Sequence, residues 1–273
     1  MISVKSFVFD FDLKPHQIHL LRDAFIRLSL DESDKLEKNG IDPVIFSNEK
    51  IENGELKRIQ TYPLIQYSTS NNSAQIIAVG TGVKAMDLLF ENKVYLNWKG
   101  FQLHNPLLIA SQKEQSIKLL ANEGTFVYRI NNWMPFKDKY TNENNEKKPA
   151  FEEWKMLKYE VERLQLLERK LVNHFWTVCK HLNVEVPYTI KVRIISKHGE
   201  SWPQNNGVAQ KTFHLTIESN IFLPFLLGIG GSVSEGFGRL LPAENPVRNV
   251  LRNKKEETNG SAKLNLPKKT VKQ

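Results

Sequence analysis

Five glycines fall within the twelve residues from Gly228 to Arg239, near the C-terminal end of the chain. Glycine reaches positive φ angles and lets another backbone approach closely, because it has no Cβ atom. The segment also contains two serines and ends on an arginine, and hydroxyls, backbone N–H groups and guanidinium groups all bind phosphate oxygens. The segment therefore predicts either a phosphate contact or a tight connection between two apolar segments.

This glycine-rich loop lacks the features of two well-known phosphate-binding loops. No Gly-Lys-Ser/Thr follows it, as a Walker loop requires. No strand-to-helix unit opens on it, as a dinucleotide-binding fingerprint requires. Nucleotide sites of these two kinds are therefore not expected here.

The positive charge of the chain is concentrated at its end. The chain has 273 residues and a net charge of +8. From Arg248 to Gln273 there are eight lysines and arginines against two glutamates, so this tail carries six of those charges. Such a basic, asparagine- and lysine-rich end is typical of a solvated, disordered segment. Basicity alone therefore supports a nucleic-acid partner only weakly.

Composition also bears on the compartment. Cys179 is the only cysteine, which excludes a disulfide framework and favours a reducing environment. No signal-peptide pattern opens the chain, and no apolar run approaches the ~20 residues that cross a bilayer. We expect a cytoplasmic protein that has no membrane partner, no metal site and no cofactor.

The first part of the chain alternates between strand and helix patterns. A strand is predicted from Ser3 to Leu13, and a helix begins at Pro15. An irregular stretch is expected from Asp31 to Gln60. The next elements are predicted as strands at 62–67 and 74–79, a helix at 83–90, a closing strand at 93–103 and a helix around 107–120. The order up to the closing strand is that of a ferredoxin-like unit.

The second part repeats this order. The predicted elements are a strand at 125–130, a long helix at 151–182, strands at 187–196 and 212–219, and a last strand at 238–241. The glycine-rich loop, at 228–238, stands where a second helix would run. We therefore predict an α+β fold of tandem ferredoxin-like (RRM-like) domains at 1–122 and 123–246, with the C-terminal glycine-rich loop in the second domain. A basic disordered tail is predicted at 247–273.

Several segments together resemble the RAMP-superfamily CRISPR endoribonucleases that cut repeat RNA, here called the Cas-six family, and in particular its b-like subgroup. The loop reads Gly-apolar-Gly, five residues, then Gly-apolar-Gly again. The run Tyr62-Pro63-Leu64-Ile65-Gln66-Tyr67 resembles the subgroup's second strand, and Gly82-Val83 stands where its small helix begins. Tyr128-Arg129 with Asn132-Trp133 resembles the entry to its second domain.

The resemblance implies that the chain binds CRISPR repeat RNA and cuts it without a metal ion. In the family's reaction the ribose 2′-OH attacks the adjacent phosphate and leaves a 2′,3′-cyclic phosphate. The resemblance leaves open whether the protein joins a CRISPR effector complex or forms a homodimer. The residues predicted to contact RNA are Gly228, Gly230, Gly231, Ser232, Ser234, Gly236, Gly238, Arg239, Lys211 and Arg193.

One departure from the family concerns proton transfer. The subgroup has a Phe-His-Asn-His-like element shortly before the second strand, and its histidine is the usual acid or base. Here Phe46-Ser47-Asn48-Glu49 stands at that place. We therefore predict that the role falls to Ser47, or to His16 or His19 in the first turn of the first helix, facing an inter-domain cleft. By contrast, His174 and His181 lie off the leucine stripe of the long helix and are expected in solvent.

Two tryptophans have predicted places. Trp133 is expected in the inter-domain core. Trp202 either stacks on a base or packs under its own loop.

Two alternatives to a repeat-RNA nuclease stay open on the sequence. The first is a homologue that binds repeat RNA without cutting it. The second is an RRM-like interaction protein with no link to CRISPR RNA, in which the glycine-rich loop is only a connector.

Overall fold

A computed structural model describes most of the chain between residues 3 and 243. The described residues are 3–52, 55–59, 61–91, 97–98, 101–102, 109–116, 118–119, 125–136, 139–141, 147–186, 188–205 and 208–243. The predicted tail and the predicted boundary at residue 122 lie outside them. None of the described helices is long and apolar enough to cross a membrane.

The first half of the chain forms a four-stranded antiparallel sheet with two helices. Its strands are β1 (Ser3–Asp12), β2 (Ile65–Ser70), β3 (Ser73–Val79) and β4 (Ile109–Ser116). Helix α1 (Ile18–Asp31) connects β1 to β2, and α2 (Thr81–Phe90) follows β3. The strands lie in the order β2-β3-β1-β4, so the predicted ferredoxin-like arrangement is confirmed.

The second half repeats the arrangement. Its strands are β5 (Phe126–Trp133), β6 (Val192–Ser201), β7 (Thr212–Ser219) and β8 (Arg239–Pro242). Its helices are α3 (Ala150–Met156) and α4 (Glu160–His181). The strand order is β6-β7-β5-β8, the counterpart of the first sheet. The glycine-rich loop lies between β7 and β8, where the second helix of the first half would stand.

Shorter elements are also present among the described residues. The helical ones are Pro15–Gln17, Ser33–Lys38, Val44–Ser47 and Val233–Glu235. The short strand pairs are Glu49–Glu52 with Glu55–Arg58, Asn97–Trp98 with Phe101–Gln102, Lys118–Leu119 with Ile221–Phe222, Lys139–Thr141 with Lys147–Pro149, and Gln204–Asn205 with Val208–Ala209.

Three sequence-based expectations are wrong. The stretch from Asp31 to Gln60 contains helices and a hairpin. The closing strand of the first sheet is β4: residues 109–116, for which the sequence predicts a helix, form a strand because they pair with β1. The long helix is interrupted before Tyr159, whose backbone N–H donates to the Glu162 carboxylate at 3.2 Å and begins α4.

Both faces of the first sheet are buried, which explains the continuous apolar run in β3. Ile76 and Ala78 pack with α1 and α2, whereas Ile77 and Val79 belong to a cluster made mostly of second-half residues. Successive side chains of a strand point to opposite faces. The second half therefore packs on the sheet face opposite α1 and α2. Trp133 is fully buried in the cluster that contains Ile77 and Val79, which has residues of both halves and is the inter-domain core in which Trp133 was expected.

Candidate nucleic-acid interface

The glycine-rich loop is closed at its base by main-chain hydrogen bonds. The N–H of Ile229 donates to the carbonyl of Gly238 at 2.9 Å, and the N–H of Leu240 donates to Leu227 at 2.9 Å. Ser232 and Gly236, with φ of 53° and 85°, flank the single 3-10 turn Val233–Glu235. Both residues are in the left-handed region, so the backbone reverses twice within a few residues.

Two of the glycines are required by close approach as well as by backbone conformation. At Gly238, with φ of +65°, a Cβ atom would overlap the carbonyl oxygen of Ile229. At Gly236, with φ of +85°, it would lie 2.9 Å from the carbonyl oxygen of Tyr67 in β2. The second contact joins the two halves of the molecule. The loop therefore lies directly against the first sheet.

The glycine requirement is testable with a matched pair of variants. Gly40 also has a positive φ, of +73°, but a Cβ there would meet no atom within 4 Å. We expect Gly40→Ala to lower the free energy of unfolding by about 1–2 kcal/mol through backbone strain alone. Gly236→Ala should lower it further, because Tyr67 must also move. Urea unfolding measures both values, and equal losses would contradict the close approach.

Two side chains of the first half hold the start of the loop. The hydroxyl of Tyr62 donates to the carbonyl of Gly228 at 2.8 Å, and the N–H of Gly228 donates to Oε1 of Gln66 at 3.0 Å. Nε2 of Gln66 donates to the Tyr62 hydroxyl at 2.7 Å. Burial raises the pKa of Tyr62, so this hydroxyl stays protonated. Two of the segments that carry the family resemblance, the run 62–67 and the glycine-rich loop, are thus hydrogen-bonded to each other.

The side chain of Arg239 holds the end of the loop to the first half. Its Nη1 donates to the carbonyl of Thr69 at 2.8 Å, and its Nη2 donates to the side chain of Gln75. Burial lowers the pKa of Arg239 to about 10, which leaves the guanidinium charged at neutral pH. Arg239, one of the three cations predicted to contact RNA, is therefore already bound to β2 and β3.

The hydrogen bond between Gln66 and Gly228, here called the Gln66 clamp, joins the two halves. Its contribution can be tested against that of Tyr128, a buried tyrosine whose hydroxyl bonds only within the second half. The hydroxyl of Tyr128 accepts from the N–H of Leu223 at 2.8 Å. We expect Gln66→Leu and Tyr128→Phe each to lower the free energy of unfolding by about 1–3 kcal/mol, because each leaves a buried backbone N–H without its partner. Only Gln66→Leu should speed amide hydrogen exchange at 228–238. Equal exchange in the two variants would contradict the clamp.

A cleft opens on each side of the loop. The first cleft, of about 530 Å³, runs between the start of α1, the end of β2 and the loop. It is lined by Pro15, His16, Ile18, Ser68, Thr69, Asn131, Asn132, Pro203, Glu235, Gly236, Phe237, Arg239 and Leu241. Three predicted site residues, His16, Gly236 and Arg239, therefore meet in this cleft.

The second cleft, of about 480 Å³, lies between the segment before β2, helix α4 and the other side of the loop. It is lined by Asn48, Ile59, Thr61, Tyr62, Pro63, His174, Thr177, His181, Gly230, Gly231, Ser232, Val233 and Ser234. Four predicted site residues of the loop line it. Both serines are buried, and so is Gly231.

The three predicted catalytic residues are separated in the structure. His16 is exposed and lines the first cleft, whereas His19 is exposed and lines neither cleft. The hydroxyl of Ser47 donates to the carbonyl of Val44 at 3.2 Å and accepts from the N–H of Glu49 at 3.1 Å. The hydroxyl of Ser47 therefore bonds to the backbone of its own turn, and Ser47 lines neither cleft.

The two other predicted cations lie on the second sheet. Lys211 is buried, donates to the Glu200 carboxylate, and has its ammonium 4.8 Å from the ring centroid of Trp202. Burial alone would raise the pKa of Glu200, but its bonds to lysines outweigh this and lower it. Arg193 is exposed and pairs with Glu218 at 2.7 Å.

Trp202 packs on one side, and its predicted stacking on a base stays a prediction. Half of its surface is exposed, and its ring packs edge-on against Phe151 with centroids 5.3 Å apart. The ring therefore has a packed side and an open side.

Sequence reasoning missed two histidines. Both were expected in solvent: His181 is exposed, as predicted, but His174 is partly buried. With Thr177 they form one face of α4 that lines the second cleft, which was not predicted from the sequence. Nε1 of Trp133 donates to Nδ1 of His174 at 3.1 Å, and burial, with Lys170 nearby, lowers the pKa of His174 to about 4. The spacing i, i+3, i+7 of three polar residues on an amphipathic helix was the available signal.

Comparisons with known proteins match both halves of the chain. A family model described as the Cas6b N-terminal domain matches residues 50–115, and one described as the Cas6b C-terminal domain matches residues 120–242. Together they match more than half of the chain. No curated protein matches the sequence.

Two solved structures show the same fold. A crystal structure of Cas6b has 20% identity and a TM-score of 0.60, over 89% of this chain and 100% of that one. A crystal structure of the CRISPR RNA processing endoribonuclease Cas6b has 19% identity and a TM-score of 0.59, with the same shares covered. At these identities, the likeness establishes the architecture.

Proposed function

This chain belongs to the Cas6b family, and we propose on that premise that it binds CRISPR repeat RNA and processes it as an endoribonuclease. The observation that carries the proposal is the glycine-rich loop, which both halves hold between two clefts. Each cleft has the volume of a small-molecule site, enough for one nucleotide. A plain connector would not need hydrogen bonds to the other half at both of its ends.

The proposed reaction is attack of a ribose 2′-OH on the neighbouring phosphate. Because the nucleophile belongs to the RNA, the protein has to supply orientation, a proton acceptor and stabilisation of the developing charge. A metal ion is not needed for any of these steps. The catalytic roles of His16, His19 and Ser47 stay predictions, and of the three only His16 lines a cleft. Cytoplasmic location, an effector complex and a homodimer also stay predictions.

The metal-independent mechanism predicts the products. We expect the protein to cut repeat RNA in EDTA at the rate measured with Mg²⁺, and to leave a 2′,3′-cyclic phosphate. Single-turnover assays and mass spectrometry of the fragments measure both. A scrambled RNA of equal length is the control for selectivity.

Two results would contradict this proposal in different ways. An absolute requirement for Mg²⁺ would exclude the mechanism. Tight, selective binding of repeat RNA with no cleavage would establish the binding-only alternative instead.

Salt dependence distinguishes a phosphate-contacting cation from a structural one. We expect Arg193→Ala to lower the slope of log affinity against log salt by about 1, because its exposed side chain can leave Glu218 for a phosphate. Lys211→Ala should instead lower the free energy of unfolding and keep the slope, since its ammonium is buried against Glu200 and Trp202. Filter binding across a salt series measures the slopes, and a lower slope for Lys211→Ala would contradict this division.

A further inference from the structure

The second cleft has few groups that can exchange a proton. Of the described residues that line it, Tyr62, His174 and His181 have titratable side chains. The Tyr62 hydroxyl donates to Gly228, and burial raises its pKa. Across the cleft, the Asn48 amide is bonded to Ile59 and Thr61 within its own wall. Proton transfer in this cleft is therefore left to the two histidines of α4.

The two histidines are in different states. Nδ1 of His174 accepts a hydrogen bond from Trp133, so the proton of the neutral ring is on Nε2. With a pKa lowered to about 4, mainly by burial, this ring stays neutral at physiological pH. His174 can donate from Nε2, but its acceptor nitrogen is already occupied. It is therefore unsuited to act as a base.

His181 has the complementary arrangement. Its Nδ1 lies 3.0 Å from the carbonyl oxygen of Thr177, which can only accept, so Nδ1 carries the proton when the ring is neutral. Nε2 then holds the lone pair. The side chain is exposed, in the last turn of α4. A backbone hydrogen bond thus fixes the tautomer that a general base requires.

We propose that the second cleft is the cutting site and that His181 is a catalytic residue of the RNA cleavage, assisted by His174, which lines the same cleft two helical turns earlier on α4. This assignment rests on the proposed function. Nε2 of His181 takes the proton of the 2′-OH, and the 2′-oxygen bonds to phosphorus as the bond from phosphorus to the 5′-oxygen breaks. Water protonates the leaving oxygen, and His181 returns its proton to solvent. Nε2–H of His174 donates a hydrogen bond to a phosphate oxygen and keeps its proton.

The two clefts are rival positions for the scissile phosphate. The base and the donors that act on one phosphate must all lie within hydrogen-bond reach of it. The loop separates His16, in the first cleft, from His174 and His181, in the second. Only one of the two histidine groups can therefore act on the bond that is cut.

The test compares single-turnover cleavage by wild type, His181→Ala, His181→Gln, His16→Ala and Asn173→Ala. Asn173 is an exposed residue of the same helix that lines neither cleft, and is the matched control. The substrates are CRISPR repeat RNAs that the wild type cuts. Binding is measured with the same RNA carrying a 2′-deoxyribose at the cut site. Thermal unfolding verifies that each variant is folded.

We expect both His181 variants to cut at least about 10²-fold more slowly, with binding within about 3-fold of wild type. Added imidazole should restore part of the rate of His181→Ala, which a merely structural role would not allow. Asn173→Ala should cut like wild type.

Other outcomes overturn the assignment. Cleavage by His181→Ala at the wild-type rate would exclude it while leaving the proposed function intact, and a loss confined to His16→Ala would place the cut in the first cleft. If the cleavage rate of His181→Ala falls only by the factor by which its RNA affinity falls, the catalytic assignment of His181 is also excluded. If the wild type cuts none of the repeat RNAs, the proposed function fails and this assignment fails with it.

Discussion

The position of the glycine-rich loop depends on hydrogen bonds between its backbone and side chains of the other half. Tyr62 and Gln66, both buried, satisfy both the carbonyl and the N–H of Gly228. A buried backbone group without a partner is destabilising by about 1–3 kcal/mol, so the loop has a strong preference for this position. At the other end the roles are reversed, because the Arg239 side chain of the loop donates to the backbone carbonyl of Thr69 in the first half. The loop is thus an inter-domain element as much as a part of the second sheet.

This clamp creates the two clefts. Because Gly236 lies directly against the backbone of β2, the loop divides the space between the halves instead of lining one side of it. The first cleft is lined in part by the start of α1, and the second is lined in part by one face of α4. The polar groups that could act on an RNA strand are therefore distributed on both sides of one narrow element.

Burial separates the chemistry of the two histidines on α4. His174 lies against Trp133 and stays neutral, whereas His181, two turns later, is exposed. Each uses Nδ1 for a bond inside the protein, but His174 accepts there and His181 donates. Two residues of one type on one helix face thus present opposite hydrogen-bonding roles at Nε2.

The sequence by itself determined the features that depend on residues close together in the chain. These are the glycine-rich loop, the apolar run of β3, the leucine stripe of α4, and the order of elements that implies two ferredoxin-like halves. The sequence misplaced β4, whose residues become a strand because β1 offers a free edge. It did not identify His181, and it assigned Arg239 to RNA without its partners in β2 and β3. Only the tertiary structure decided which side of α4 meets the loop. Periodicity shows that a helix has a polar face, but what that face meets depends on how the two halves dock.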